Sequence, residues 1–368
     1  MNTVVNLCKG LHNLGWDIHI VTTPSRFLPE SSLDFPWAKF HVLNIRGKTN
    51  SLRYVADFLM KSVQTVDALS KKYDFDLVHA HSGYFGPAII PILVKKHVGI
   101  PALFSLYCPA SLLPKKLPLD DYGVKFLSLN LDKIIAVTTN VKTSLLDCGV
   151  IAEKIEFIPS CYNEDTFSRV AVDLANRSSL DNSVQKVLFV GNVDKSKGLD
   201  IFLLAAKSVL LVNPTTKFII TLHEPVERLE FARTLISRSL GSSAEVLGVV
   251  EDMAQLMASV DVVVAPFRST EGISDIPIIV LEAMALGKPV VVTNLAGVKE
   301  VICNNENGLI IEIDNPNELV NTLLDLLNNK SIQKEIGNNA FLCAKRFSYS
   351  EISKKLSNLY FKTLDMCD

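Results

Sequence analysis

Lys197 and Gly198 lie in the stretch VLFVGNVDKSKGLDIFLLAA, where an apolar run ends at Gly191 and a polar loop intervenes before helical periodicity resumes. Glycine lets a backbone approach a ligand closely, and a lysine at a strand's end supplies a mobile positive charge suited to phosphate oxygens. Taken alone, such a lysine reads as well as a solvated loop residue. The segment from Asp261 to Glu300, DVVVAPFRSTEGISDIPIIVLEAMALGKPVVVTNLAGVKE, carries a second form of the same chemistry. Its strand-like VVVAP opens into the polar loop RSTEGISD, which meets a helix with Asp275 as N-cap and Pro277 in the first turn. The start of such a helix holds anions, because free N–H groups and the positive end of the helix dipole point there. A diphosphate fits against residues 275 to 278. Glu282 follows between one and two turns later, where its carboxylate can accept hydrogen bonds from a pair of sugar hydroxyls, at about 1.5–3 kcal/mol each. The plain alternative is an ordinary βα unit with a capped helix and a surface glutamate.

The first half offers weaker signals. DLVHAHSGYFG places His79 and His81 at the end of a strand, with both rings on one side, a spacing that raises the question of a metal. No third ligand stands nearby in the sequence, and packing or acceptor contact competes with that use. Tyr107, in ALFSLYCPA, can hydrogen-bond a substrate, but a phenol with a pKa near 10 is a poor base at neutral pH. The loop ASLLPKKLPLDDYG mixes Leu112, Leu113 and Leu117 with Lys115 and Lys116. Such a mixture suits an anionic membrane surface, and it suits an ordinary loop equally.

The elements that position these residues follow from apolar spacing. At 368 residues the chain is long enough for two domains of about 150 residues each. Hydrophobic residues make up 48%, in runs of four to eight broken by charge, so no run approaches the roughly 18 apolar residues of a spanning helix. The net charge of −2 gives no chain-wide basic field for nucleic acid and favours a small-molecule ligand. Seven cysteines without a CxxC pair argue against a zinc site or disulfide framework and fit a reducing cytoplasm.

Strands are expected at Trp16 to Thr23, Phe40 to Ile45, Leu77 to His81, Ala102 to Tyr107, Ile134 to Val137 and Ile155 to Ile158. A second set is expected at Val187 to Val190, Lys217 to Leu222, Ala244 to Val246, Val262 to Ala265, Val290 to Thr293 and Leu309 to Ile313. Helical periodicity is clearest from Ser51 to Tyr73 and from Ser350 to Leu364, and the opening residues form an amphipathic helix with Val4, Leu7, Leu11 and Leu14 on one face. The pattern predicts two doubly wound α/β domains facing a cleft. Their extents are 1–165 and 187–348, joined by a polar linker over 166–186 and followed by a C-terminal helix over 349–368 that returns toward the first domain.

The segment from 261 to 300 resembles the donor-binding signature of family 4 glycosyltransferases with the GT-B fold: a glutamate, seven residues, a second glutamate, then Ala-Met-Ala and Gly-x-Pro-Val-Val. Glu282, Ala283, Met284, Ala285, Gly287, Lys288, Pro289, Val290 and Val291 match it in register. The resemblance implies that Glu282 binds the ribose hydroxyls of a nucleotide. The first glutamate falls on Ser274, so either Asp275 or Glu271 substitutes or the sugar contact changes. The stretch around Lys197 is similar to the family's Gly-Arg-(four residues)-Lys-Gly motif, whose cations neutralise a departing diphosphate. Lys197 matches the lysine, and Asn192 stands at the arginine. GVIAEKIEFIPSCYNEDTF and NGLIIEIDNPNEL resemble the family's interdomain segment and final βα unit, so similarity runs from about residue 2 to 364. Relatives open with a strand and a glycine-rich loop, whereas this sequence begins inside the following helix; the expectation is an N-terminal domain lacking its first strand.

The implied function is a retaining, metal-independent transfer of sugar from a nucleoside diphosphate sugar to an acceptor hydroxyl on a glycan, lipid-linked or small molecule. It belongs to cell-surface polysaccharide synthesis in the cytoplasm, with peripheral membrane contact and no cofactor or nucleic acid. Donor contacts are expected from Gly191, Asn192, Lys197, Ser274, Asp275, Ile276, Pro277, Ile278 and Glu282. Lys197, Tyr107 and His81 are the candidates for catalysis. The competing reading is a catalytically impaired GT-B protein that binds nucleotide sugar or serves as a partner subunit.

Overall fold

The computed structural model describes residues 2–23, 35–46, 52–113, 120–168, 170, 184–269, 276–295 and 297–366. The chain divides into two compact units, one of Met1–Cys161 with Tyr349–Asp368 and one of Tyr162–Ser348. Both are α/β, and among the described residues all their strands pair in parallel.

The first unit contains α1 (Asn2–Asn13), β1 (His19–Thr22), β2 (Lys39–Val42), α2 (Leu52–Ser70), β3 (Val78–Ser82), α3 (Ile89–Val98), β4 (Ala102–Leu106), α4 (Asp120–Ser128), β5 (Lys133–Ala136), α5 (Thr139–Asp147) and β6 (Ile155–Phe157). Strands β3 to β6 form one sheet in sequence order, and β1 and β2 form a separate pair. The strand ALFSL of β4 is buried along its whole length, as expected for an apolar run covered on both faces, whereas β1 and β3 are half-buried throughout. The C-terminal helix, which closes the chain at Tyr349–Asp365, packs on α1. Small residues allow the approach: a Cβ on Gly10 would stand 2.1 Å from Ser353 Oγ, and that hydroxyl donates to the carbonyl of Leu7 at 3.1 Å. Trp16 Nε1 donates to Ser357 Oγ one turn further along, at 2.9 Å.

Leu14 departs from the expected apolar face. Leu7 and Leu11 are buried, but the helix ends at Asn13 and the chain turns through Gly15 (φ 96°), which leaves Leu14 45% exposed.

The second unit contains β7 (Lys186–Gly191), α6 (Leu199–Val212), β8 (Lys217–Leu222), α7 (Val226–Leu240), β9 (Ala244–Leu247), α8 (Met253–Ala258), β10 (Val262–Ala265), α9 (Ile278–Ala285), β11 (Val290–Thr293), β12 (Leu309–Ile311), α10 (Pro316–Asn328) and α11 (Lys330–Ala344). Its six strands run in the order β12-β11-β10-β7-β8-β9, so the sequence order reverses between β7 and β10. Two cores lie on the opposite faces. One gathers α6, α7 and α10 around Phe189, Phe202 and Phe218, and the other gathers α8 and α9 around Met257, Leu281 and Met284. With every strand parallel, the loops after β7 and β10 leave the same edge of the sheet at the switch in strand order, the usual place for a ligand in such folds.

Candidate donor site in the second unit

Strand β7 ends at Gly191, and a short turn carries Lys197 to the start of α6. Asn192 Oδ1 accepts from the amide of Asp194 at 3.0 Å, and Asp194 in turn accepts from the amide of Ser196 at 2.8 Å, so two side-chain turns shape the loop. Gly198 ends it in the left-handed region (φ 68°). Asn192, in the register where the family carries a cation, therefore uses its oxygen to bend the backbone. Gly191 lies directly beside the lysine: a Cβ there would stand 3.3 Å from Lys197 Cβ and 2.9 Å from the Phe189 ring.

Lys197 Nζ lies 4.6 Å from the centre of the Phe267 ring, just after β10. It is half-buried; loss of solvent lowers its pKa, the Asp194 carboxylate partly opposes that shift, and among the described residues no carboxylate lies at ion-pair distance. An aromatic seat holds the cation without neutralising it, leaving its charge for a ligand.

The tip of α9 lies on the same sheet edge. Sequence periodicity puts Pro277 in the first turn with Asp275 as the cap; instead Pro277 is itself the cap residue, with extended backbone (φ −61°, ψ 127°), and Ile278 opens the helix. A ψ of 127° takes Pro277 out of the helical region, so helical backbone starts one residue later. Among the described residues no side chain caps this end; the Val280 amide donates to the Pro277 carbonyl at 3.0 Å, and the amides of Ile278 and Ile279 are left for another acceptor. Ile276 and Pro277 are buried and Ile278 half-buried. Ser274 and Asp275, with Glu271, lie outside the described residues.

Glu282 is half-buried on the second turn of α9. Burial pushes its carboxyl up to about 7, and among the described residues no donor reaches it. A buried carboxyl without a partner is costly unless a ligand supplies hydrogen-bond donors.

In the first unit, His79 and His81 lie side by side with ring centres 4.1 Å apart. His79 Nδ1 is 2.6 Å from Tyr360 Oη and its Nε2 is 2.9 Å from Ser105 Oγ, while His81 Nδ1 is 3.1 Å from Tyr107 Oη. Loss of solvent pushes His81 down to about 4, holds His79 well below its usual range and raises the Tyr107 phenol. Among the described residues, no group of three or more His, Cys, Asp or Glu gathers as a metal site.

Sequence reading singles out neither Phe267 nor Arg268. Arg268 holds Asp200 and Asp314 across 68 and 46 positions of chain, and a lone arginine in a polar loop carries no periodic signal of such a pairing.

Known proteins share this architecture. Residues 2–166 match the model of Glycosyltransferase Family 4, and residues 184–329 match that of Glycosyl transferases group 1. The chain is a family 4-like glycosyltransferase of the GT-B fold. A glycosyltransferase of Methanocaldococcus jannaschii is 27% identical over 368 residues, covering 98% of this chain and 94% of that protein. Among solved structures, sucrose-phosphate synthase from Thermosynechococcus elongatus superposes with a TM-score of 0.79 at 19% identity, covering 99% of this glycosyltransferase and 93% of the synthase. Anabaena HepE in complex with UDP and glucose superposes with a TM-score of 0.72 at 18% identity, covering 96% and 95%.

Proposed function

We propose that this glycosyltransferase takes its sugar from a nucleoside diphosphate sugar held by the second unit, and transfers it with retention to an acceptor hydroxyl without help from a metal. The observation that carries this reading is the Lys197 ammonium, seated on Phe267 with no carboxylate at ion-pair distance among the described residues, on the same sheet edge as the start of α9, which no described side chain caps. A diphosphate placed there meets one mobile cation and the amides of Ile278 and Ile279. Glu282 then accepts from two ribose hydroxyls. The UDP and glucose bound by the Anabaena neighbour support a donor of this class.

In the proposed reaction the acceptor oxygen bonds the anomeric carbon as the bond from that carbon to the phosphate oxygen breaks. The acceptor proton passes to the departing phosphate. Negative charge on the diphosphate is greater in the transition state than in the bound donor, so Lys197 and the α9 amides lower the barrier rather than only tightening binding. The retaining course and independence from metal follow from the family resemblance.

The acceptor side belongs to a glycan or lipid-linked substrate at a membrane surface. This part rests on α4, where Tyr122 and Phe126 are 75% and 68% exposed at helical spacing, with Leu129, 51% exposed, just past the helix end. Asp120 is buried and Asp121 accepts from Cys148 Sγ, which leaves Lys125 as the exposed charge on the helix. Among the described residues no helix is long and apolar enough to cross a membrane, so the contact is peripheral.

Thermal shift against UDP, GDP, ADP and their monophosphates tests donor binding. Nucleoside diphosphate release with acceptor extracts, in the presence and absence of a chelator, then tests transfer. Binding without release favours the impaired protein; no binding by any nucleotide overturns the donor reading.

A further inference from the structure

Arg268 makes more contacts around the Lys197 loop than its place in a polar loop requires. Its Nη1 and Nη2 donate to Asp200 Oδ1 and Oδ2 at 2.7 and 2.8 Å, a fork fitted to the carboxylate at the first turn of α6. Its Nε pairs with Asp314, just beyond β12, and Nη1 also donates to the Lys195 carbonyl at 2.8 Å. Its own amide donates to the Ser196 carbonyl at 2.8 Å. Arg268 thus grips the two residues before Lys197 and a residue three positions after it, while its neighbour Phe267 supports the ammonium. Both carboxylates stabilise the guanidinium charge, and the pairing with Arg268 keeps Asp200 ionised at lower pH than usual.

We infer that Arg268 is a positioning residue that fixes the loop and presents Lys197 to the donor diphosphate, acting through the lysine rather than on the phosphate itself. This rests on the donor site proposed above. A lysine on a free loop loses four rotatable bonds and the motion of its backbone when it engages a phosphate. Fixing the loop beforehand removes the backbone part of that cost. The side chain that does this must be planar and five-pronged, because it serves two carboxylates and a carbonyl at once; a lysine in its place can serve only part of the set.

The test uses the full chain and reads the preference for a nucleoside diphosphate over its monophosphate, with UDP/UMP, GDP/GMP and ADP/AMP as probes. Lys197→Ala, Arg268→Ala, Arg268→Lys, Asp200→Ala and the Lys197→Ala/Arg268→Ala pair are compared, each checked for folding by thermal melting. Lys197→Ala is expected to reduce the preference about tenfold, the size of one charge-assisted contact. Arg268→Ala and Asp200→Ala are expected to reduce it several-fold, Arg268→Lys to restore part of it, and the double variant to lose no more than Lys197→Ala alone. Monophosphate affinity stays near that of the parent chain in all of them. Arg268→Ala with an unchanged preference overturns the inference, as does a double variant whose losses multiply, which places Arg268 on the phosphate in its own right. A uniform fall in affinity for both nucleotides marks Arg268 as structural only and overturns it too. If the parent chain shows no diphosphate preference, or Lys197→Ala leaves that preference intact, the donor site itself fails and the inference falls with it.

Discussion

A Cβ placed on Gly198 would stand 1.9 Å from the carbonyl oxygen of Pro266, and the backbone of Gly198 already has φ 68°. The turn that follows Lys197 and the segment that follows β10 are thus in direct backbone contact, and this contact sets how far the lysine stands from Phe267.

Gly198→Ala therefore meets both an unfavourable dihedral and a carbonyl that belongs to the strand's own exit. The turn must move. The expected cost is about 2–3 kcal/mol in urea unfolding, with a larger fractional loss in nucleoside diphosphate affinity than in monophosphate affinity. An alanine variant as stable as the parent chain contradicts the packing described.

Glu282 ties donor binding to pH. Its folded pKa, pushed up to about 7, lies above the ordinary value of 4.5, so the folded chain holds a proton that the unfolded chain gives up. The sign follows: the buried carboxyl costs nothing below about 4.5, and the cost grows as pH rises, reaching its full size above about 7, on the order of 3 kcal/mol. Glu282→Gln should then raise stability at pH 8 more than at pH 5. Nucleotide affinity moves the other way, because ribose hydroxyls are held best by the ionised form. Affinity in the parent chain is expected to fall as pH drops below 7, and the glutamine variant, weaker throughout, should show a flat profile in calorimetric titrations between pH 5.5 and 8.

The two histidines of β3 predict acid sensitivity in the first unit. His81 is pushed down to about 4 from 6.5, and His79 is lowered well below its usual value. Between pH 6.5 and about 4 the unfolded chain binds protons that the folded unit refuses, so stability present at neutral pH is lost progressively on acidification. His81 alone accounts for about 3 kcal/mol by the bottom of that window. Denaturant midpoints measured from pH 7 to 4.5 should fall steeply in the parent chain and less steeply in His81→Gln; parallel slopes would remove the histidine from the explanation.

Much of this architecture is legible in the sequence because buried parallel strands announce themselves. Runs such as Lys217–Leu222, Val262–Ala265 and Val290–Thr293 appear in the fold with the bounds their composition suggests, each flanked by turn residues. Element placement is legible too: Glu282 lies on the second turn of its helix and Lys197 in the turn between a strand and a helix, as the apolar runs around them suggest. What periodicity cannot convey is contact between distant segments. The grip of Arg268 on Asp200 and Asp314, the ring of Phe267 under Lys197, and the bond from Tyr360 to His79 join residues far apart in the chain, each through a side chain common at any surface. Single-residue boundaries are lost as well. Pro277 serves as a cap as easily as a first-turn residue, and the difference lies in one ψ angle.

The exposed stripe on α4 makes a prediction that does not depend on the donor. Tyr122 and Phe126 lie four apart on one side of the helix, with Leu129 in the turn just beyond its end, and the first two are aromatic residues of the kind that settle at a lipid–water boundary. With Asp120 turned inward and Asp121 engaged by Cys148, no outward carboxylate on this helix opposes an anionic surface. Tyr122→Ser with Phe126→Ser removes two exposed rings and should leave the core intact, because neither residue is buried. Co-sedimentation with vesicles containing phosphatidylglycerol is expected to fall about tenfold or more in the double variant, since each ring contributes on the order of 1–2 kcal/mol when it leaves water. Raising salt should weaken binding of the parent chain while leaving some of it, as a mixed apolar and electrostatic contact requires. Equal sedimentation of both proteins, or none by either, would count against α4 as the membrane face.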